Sequence, residues 1–194
     1  ALHRGLPAYD RPEILEAELS SLVLDCASWG TAPADLAFLD RPPAGALAAA
    51  SALLTELGAL DAAGAITQAG QRMAVLGAHP RLAAMLLEAA TAGEAAMAAD
   101  LAALLEERDP LRSQESPADI GSRLAAIAFG DPDADRGALS RIRQTARQYR
   151  RRLRIHGDQA AEGDAGKLLA AAFPDRIAQR RGEPGSFRLS GGGG

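Results

Sequence analysis

The sequence predicts a mostly α-helical protein, and three observations carry that expectation. Alanine supplies 45 of the 194 residues, while aromatic residues make up only 4%. A core of alanine and leucine suits close-packed helices, whereas strands favour β-branched and aromatic side chains. Apolar residues also recur at three- and four-residue spacing between proline and glycine breakers along most of the chain. Hydrophobic content is 47%, which supports a buried core rather than a disordered tail.

Residues 1–12 read as an irregular leading segment, with Pro7 and Pro12 as breakers. Pro12 suits a first helical turn, and Glu13 and Glu16 complement its positive end. Leu15, Leu19, Leu22 and Cys26 then mark one helix, which Gly30 stops. Cys26 is expected to be a core thiol, and Trp29 an anchor in or beside a packed junction. Pro33 opens a short second helix through Leu39, and Pro42-Pro43 starts a third. The third has Leu47, Ala50, Leu53, Leu54 and Leu57 on its apolar face and Gly58 at its C-cap. From Ala59 to Thr67, two short extended pieces flank an Asp- and Gly-containing turn, a small β-ribbon. Thr67 caps another helix through Gln71, Met73 and Leu76. Three helices, a small β-ribbon and a helix make a winged helix over residues 13–77.

From Pro80 onward only helices are expected, at about 80–92, 94–107, 117–129, 134–156 and 163–173. The short breaks at Gly93, Asp109-Pro110, Gly130-Asp131-Pro132 and Gly157-Asp158 imply antiparallel neighbours, hence a helical bundle over 78–173. After Pro174 the texture changes. Ser186-Phe187-Arg188-Leu189-Ser190 reads as a lone strand, and residues 174–194 as the start of a further C-terminal domain. The chain begins without Met and ends on four glycines, so it is expected to be part of a longer polypeptide.

Several chemistries lack their residues. The histidines His3, His79 and His156 are scattered, and no Cys/His cluster has ligand spacing. Neither a Gly-x-Ser-x-Gly elbow nor a Walker-type phosphate loop occurs. Glu106-Glu107 reads as solvated surface. No apolar run approaches the roughly 18 residues of a membrane span, and one cysteine fits a reducing cytoplasm. No catalytic site, metal or cofactor is therefore expected in this chain.

The net charge of −4 hides an asymmetry: residues 1–130 carry 8 Arg against 17 acids, residues 131–194 carry 13 Lys and Arg against 8. Between Gly137 and Ile155 stand Arg141, Arg143, Arg147, Arg150, Arg151, Arg152 and Arg154, with no acid among them. Leu139, Ile142, Ala146, Tyr149 and Leu153 form one apolar stripe. At about 100° per residue, Arg143, Arg147, Arg150, Arg151 and Arg154 fan along one flank of it, and Arg141 and Arg152 lie roughly opposite. Such a flank suits several phosphates of a single-stranded nucleic acid; the competing reading is a solvated face paired to acids elsewhere. Pro174 to Gly182, which includes Arg180 and Arg181, forms a second basic group that either contacts phosphate or locks one domain to the next through Asp175 and Arg176. The third helix of the winged fold offers no Arg, Lys, Asn or Gln over Ala44–Ser51 to read a base edge, so it looks like scaffold.

These residues carry a family resemblance. Pro12-Glu13-Ile14-Leu15, Leu19 to Leu24, Trp29-Gly30, Phe38 to Pro43 and Leu54-x-x-Leu57-Gly58-Ala59-Leu60-Asp61 occur in an order that resembles the helicase-associated region of DEAH-box helicases. Ile66-Thr67-x-x-Gly70-x-x-Met73-x-x-Leu76 and His79-Pro80-Arg81-Leu82 extend it, and Phe173 to Arg181 resembles the bacterial HrpB-type branch. The resemblance covers about residues 11–190. It implies a winged helix, a ratchet-like helical bundle and a further C-terminal domain, with residues 1–12 linking from a preceding motor domain. It also implies two RecA-like motor domains in the same chain, where ATP and Mg would act, and a nucleic-acid strand beside the bundle. Two other classes stay open: a winged-helix transcription regulator and a helical protein-interaction module.

Overall fold

The computed structural model describes residues 11–111, 118–156, 159–182 and 186–190. The chain divides after Val75 into two compact units.

The first unit is the winged helix. A 3-10 turn, Glu13–Leu15, precedes α1 (Ser20–Trp29); a second 3-10 turn, Pro33–Asp35, leads to α2 (Ala44–Glu56). The helix expected from Pro12 thus begins at Ser20. The Glu18 carboxylate takes hydrogen bonds from the Ser20 backbone N–H (2.9 Å) and hydroxyl (2.6 Å), which satisfies the buried serine at the start of α1. Nor does the second helix form beyond its 3-10 turn. Leu36 is extended and Leu39 fully exposed, because Pro42 and Pro43 exclude helical geometry just before them and leave too few residues for a stable helix. Leu24, Cys26, Ala50 and Leu54 bury the α1–α2 seam, so the thiol is core. Trp29 is not an anchor here: its side chain is 72% exposed.

The wing is reduced to a single bridge, Leu60 to Ile66. Asp61 shapes its turn, its Oδ1 accepting from the Ala63 and Ala65 N–H groups, while Gly64 takes the left-handed φ of 82°. Thr67 closes the ribbon by donating to the Gly58 carbonyl and caps α3 (Gln68–Leu76) by accepting from the Gly70 N–H. Gly70 must be glycine. A Cβ there would collide with the Ala59 carbonyl oxygen and lie 2.8 Å from Ile66 Cγ1.

The second unit is the helical bundle: α4 (Pro80–Glu88), α5 (Ala92–Glu106), α6 (Ile120–Phe129), α7 (Arg136–Arg152) and α8 (Ala165–Ala172). The element α5 is apolar on nearly every face and buried on nearly every face, which makes it the central helix; it packs mainly on α7 and α4. Side-chain caps set the starts: Thr91 for α5, Asp119 for α6, Asp135 for α7 and Asp164 for α8 each accept a first-turn N–H. Gly93 is a packing residue inside α5 rather than a break. A Cβ there would sit 3.1 Å from Glu162 Cβ, and its carbonyl accepts from the Glu162 N–H.

Beyond α8 a 3-10 turn, Pro174–Arg176, leads into β1 (Ala178–Arg180), which pairs antiparallel with β2 (Phe187–Leu189). The strand expected to stand alone therefore finds its partner nine residues upstream, Gln179 opposite Arg188. Asp175 anchors this segment through Arg81 of α4. No helix among the described residues is long and apolar enough to cross a membrane.

Candidate nucleic-acid interface

The arginines of α7 do three different jobs, and burial of the helix decides which. Ala138, Leu139, Ile142, Ala146 and Tyr149 are its buried stripe. With that stripe against α5 and α6, guanidinium groups just outside it meet the neighbouring helices, while those farther round meet solvent.

On one flank, Arg143 donates from Nε to the Ile127 carbonyl (2.8 Å) and from Nη2 to the Ala126 carbonyl (3.2 Å), two acceptors in the last turn of α6. Arg150 reaches Asp100 of α5 with Nη2 3.0 Å from both carboxylate oxygens, and donates from Nη1 to the Gln159 carbonyl at 2.7 Å. Both of these predicted site residues are engaged inside the bundle. The opposite flank is engaged too. Arg141 pairs with Glu107 at 2.6 Å, and Arg152 donates to the Leu76 carbonyl and lies over the Tyr149 ring. The Tyr149 hydroxyl donates to Glu106 at 2.7 Å; burial first, then that carboxylate, push its pKa well up. Glu106 and Glu107 are thus anchors for α7 rather than free surface.

Between the flanks lies the solvent face. Arg136, Ser140, Gln144, Arg147, Gln148 and Arg151 are exposed there, and no acid interrupts them. Among the described residues, neither Arg147 nor Arg151 is within ion-pair distance of a carboxylate. Arg154, also exposed, follows the helix in the left-handed conformation at φ 59°. Arg180 and Arg181 are exposed on the two-stranded hairpin. The structure therefore brings Arg147 and Arg151 onto one surface one turn apart, and sets Arg143 and Arg150 apart from them as fixtures of the bundle. Arg136, Ser140, Gln144 and Gln148 share this face without having been singled out in the sequence; their four-residue spacing was the available signal.

Comparison with known proteins fits this organisation. Residues 52–77, from the middle of α2 through the wing to the end of α3, match the family model "Helicase associated domain (HA2), winged-helix". Over 186 residues, 95% of the chain, the sequence is 40% identical to "ATP-dependent RNA helicase HrpB" of Escherichia coli (strain K12). The chain is thus similar to the helicase-associated region of HrpB. A crystal structure of the E. coli HrpB protein, described as a DExH-box NTPase, superposes with a TM-score of 0.75 at 38% identity, over 97% of this chain and 21% of that one. The "Probable ATP-dependent RNA helicase DHR2" of Saccharomyces cerevisiae is 33% identical over 52% of the chain and 14% of its own length. The chain spans about a fifth of the length of the E. coli relative.

Proposed function

We propose that this chain is the accessory region of an ATP-dependent RNA or DNA helicase and that the solvent face of α7 holds single-stranded nucleic acid beside RecA-like motor domains. ATP and Mg would act in those motor domains, and the region itself needs no cofactor; a cytoplasmic setting follows from the same reading. One observation carries the proposal: Arg147 and Arg151 stand exposed on an acid-free face of a helix whose rotation Arg143 and Arg150 lock. Guanidinium, hydroxyl and amide donors with no acceptor-only side chain beside them suit phosphate oxygens. Arg154, Arg180 and Arg181 are further contacts of the same kind. A DNA-reading winged helix is disfavoured, since α2 carries no Arg, Lys, Asn or Gln.

The test is an oligonucleotide titration at several salt concentrations, comparing the full chain with its Arg147→Ala/Arg151→Ala variant. Loss of two phosphate contacts on a single strand flattens the log–log salt dependence by about 1.4 and weakens all sequences alike. Stability should stay within about 0.5 kcal/mol, because both side chains are exposed. Unchanged affinity and slope would overturn the proposal.

A further inference from the structure

We propose that Phe129 is a base-stacking residue, presenting its ring to an unpaired nucleobase of the strand whose phosphates the α7 face holds; this rests on the reading of α7 given above. Phenylalanine is among the residue types most often buried, yet Phe129 is 90% exposed. Its backbone is firmly held all the same. It is the last residue of α6, and the Ala126 and Ile127 side chains of that last turn are buried in the core with Leu139, Ile142 and Ala146. The carbonyls of the same two residues receive the Arg143 guanidinium, and the Ala126 carbonyl also accepts from the Gly130 N–H at 2.9 Å. The turn therefore cannot rotate to bury the ring without pulling Ala126 and Ile127 out of the core. The ring is fixed at its base and open to solvent.

Its position gives the exposure a use. Arg143 ties the end of α6 to α7 one helical turn from Arg147 and two from Arg151. An aromatic platform at this seam, beside a row of phosphate donors, is the combination with which single strands are bound without sequence preference: charge tracks the backbone and rings take the bases. A protein partner is the poorer fit. The exposed neighbours of Phe129 on α6 are Ala125 and Ala128, with Gly130 following, small residues that offer a protein partner little apolar surface beside the ring.

The experiment uses the full chain and its variants Phe129→Ala, Phe129→Leu and Phe129→Trp, with two probes: a labelled single-stranded oligonucleotide, and an abasic phosphodiester strand of the same length. Phe129→Ala should weaken the base-bearing strand by about five-fold or more and leave the abasic strand and the salt slope unchanged. Phe129→Leu, apolar but not aromatic, should behave like alanine, and Phe129→Trp should bind at least as tightly as the wild type. Three results would each overturn the proposal: undiminished binding of the base-bearing strand by Phe129→Ala, equal losses on both probes, or full affinity in Phe129→Leu, which marks apolar packing against another protein surface. Failure of the α7 reading shows differently, as unchanged abasic-strand binding in Arg147→Ala/Arg151→Ala.

Discussion

The Arg150 guanidinium and the Asp100 carboxylate form a pair shielded from solvent, with Nη2 3.0 Å from each carboxylate oxygen and side chains 13% and 12% exposed. The same guanidinium also donates to the Gln159 carbonyl, so one side chain ties α7 to α5 and to the segment that leads into α8. Burial pushes the Asp100 carboxyl up, against the opposing pull of Arg150, which marks the pair as costly to desolvate. Its formation adds little by itself, but its rupture is expensive.

Arg150→Ala is accordingly expected to destabilise the bundle by about 3 kcal/mol, because it strands a buried carboxylate. The double variant Arg150→Met/Asp100→Leu should recover much of that loss, since neither partner is left uncompensated. Urea unfolding of the two variants measures both. A single variant as stable as the wild type would return Arg150 to the candidates for phosphate binding.

Acidity should act through Asp175. Arg81 holds its carboxylate by two bonds, 2.6 Å and 3.1 Å, donates to the Ala172 carbonyl, and lies over the Phe173 ring. That guanidinium lowers the Asp175 carboxyl pKa, as the Arg123 guanidinium does for Asp109. Groups depressed on folding stabilise fully above the unfolded value, about 3.9 for Asp, and the benefit drains as pH falls through the folded value. Asp100, raised by burial, has the opposite sign: its contribution falls as pH rises through its range, which softens the acid limb. Melting temperature should therefore decline below about pH 4.5. Asp175→Asn should start lower at neutral pH and decline less steeply; a curve parallel to the wild type would sink the assignment.

The helices were legible in the sequence because leucine and alanine periodicity and the Pro and Gly breaks both report on local geometry. What escaped depended on distant partners. A helical wheel places Arg143 and Arg150 on the same flank as Arg147, but only packing reveals that the Ala126 and Ile127 carbonyls and Asp100 wait beside the first two. Asp100 did leave a trace, as a single acid within the otherwise apolar run Ala95–Leu105; a buried charge needs a partner. β1 was hidden because Ala178-Gln179-Arg180 has neither β-branched residues nor alternation, and only pairing with Phe187–Leu189 makes it a strand. Trp29 was misjudged by the ordinary expectation that a lone Trp packs.

Arg154 shows a conflict between stability and the proposed role. Helix α7 ends in a Schellman arrangement: the Ile155 N–H bonds to the Arg150 carbonyl (2.9 Å) and the Arg154 N–H to the Arg151 carbonyl (3.0 Å). Arg154, the first residue past the cap, must take a left-handed backbone, and among the described residues it is the one non-glycine with positive φ. Left-handed geometry costs an L-residue roughly 1 kcal/mol, which glycine escapes. Arg154→Gly should therefore stabilise the bundle by up to about 1 kcal/mol, whereas Arg154→Ala, keeping the Cβ, should change stability little. If Arg154 touches phosphate, both variants should lose the same one contact, reducing the salt slope by about 0.7 on a single strand. Thermal melts alongside a salt-dependent titration of both variants separate the effects. A stabilised glycine variant that binds as well as the wild type would show that Arg154 contributes nothing to the strand.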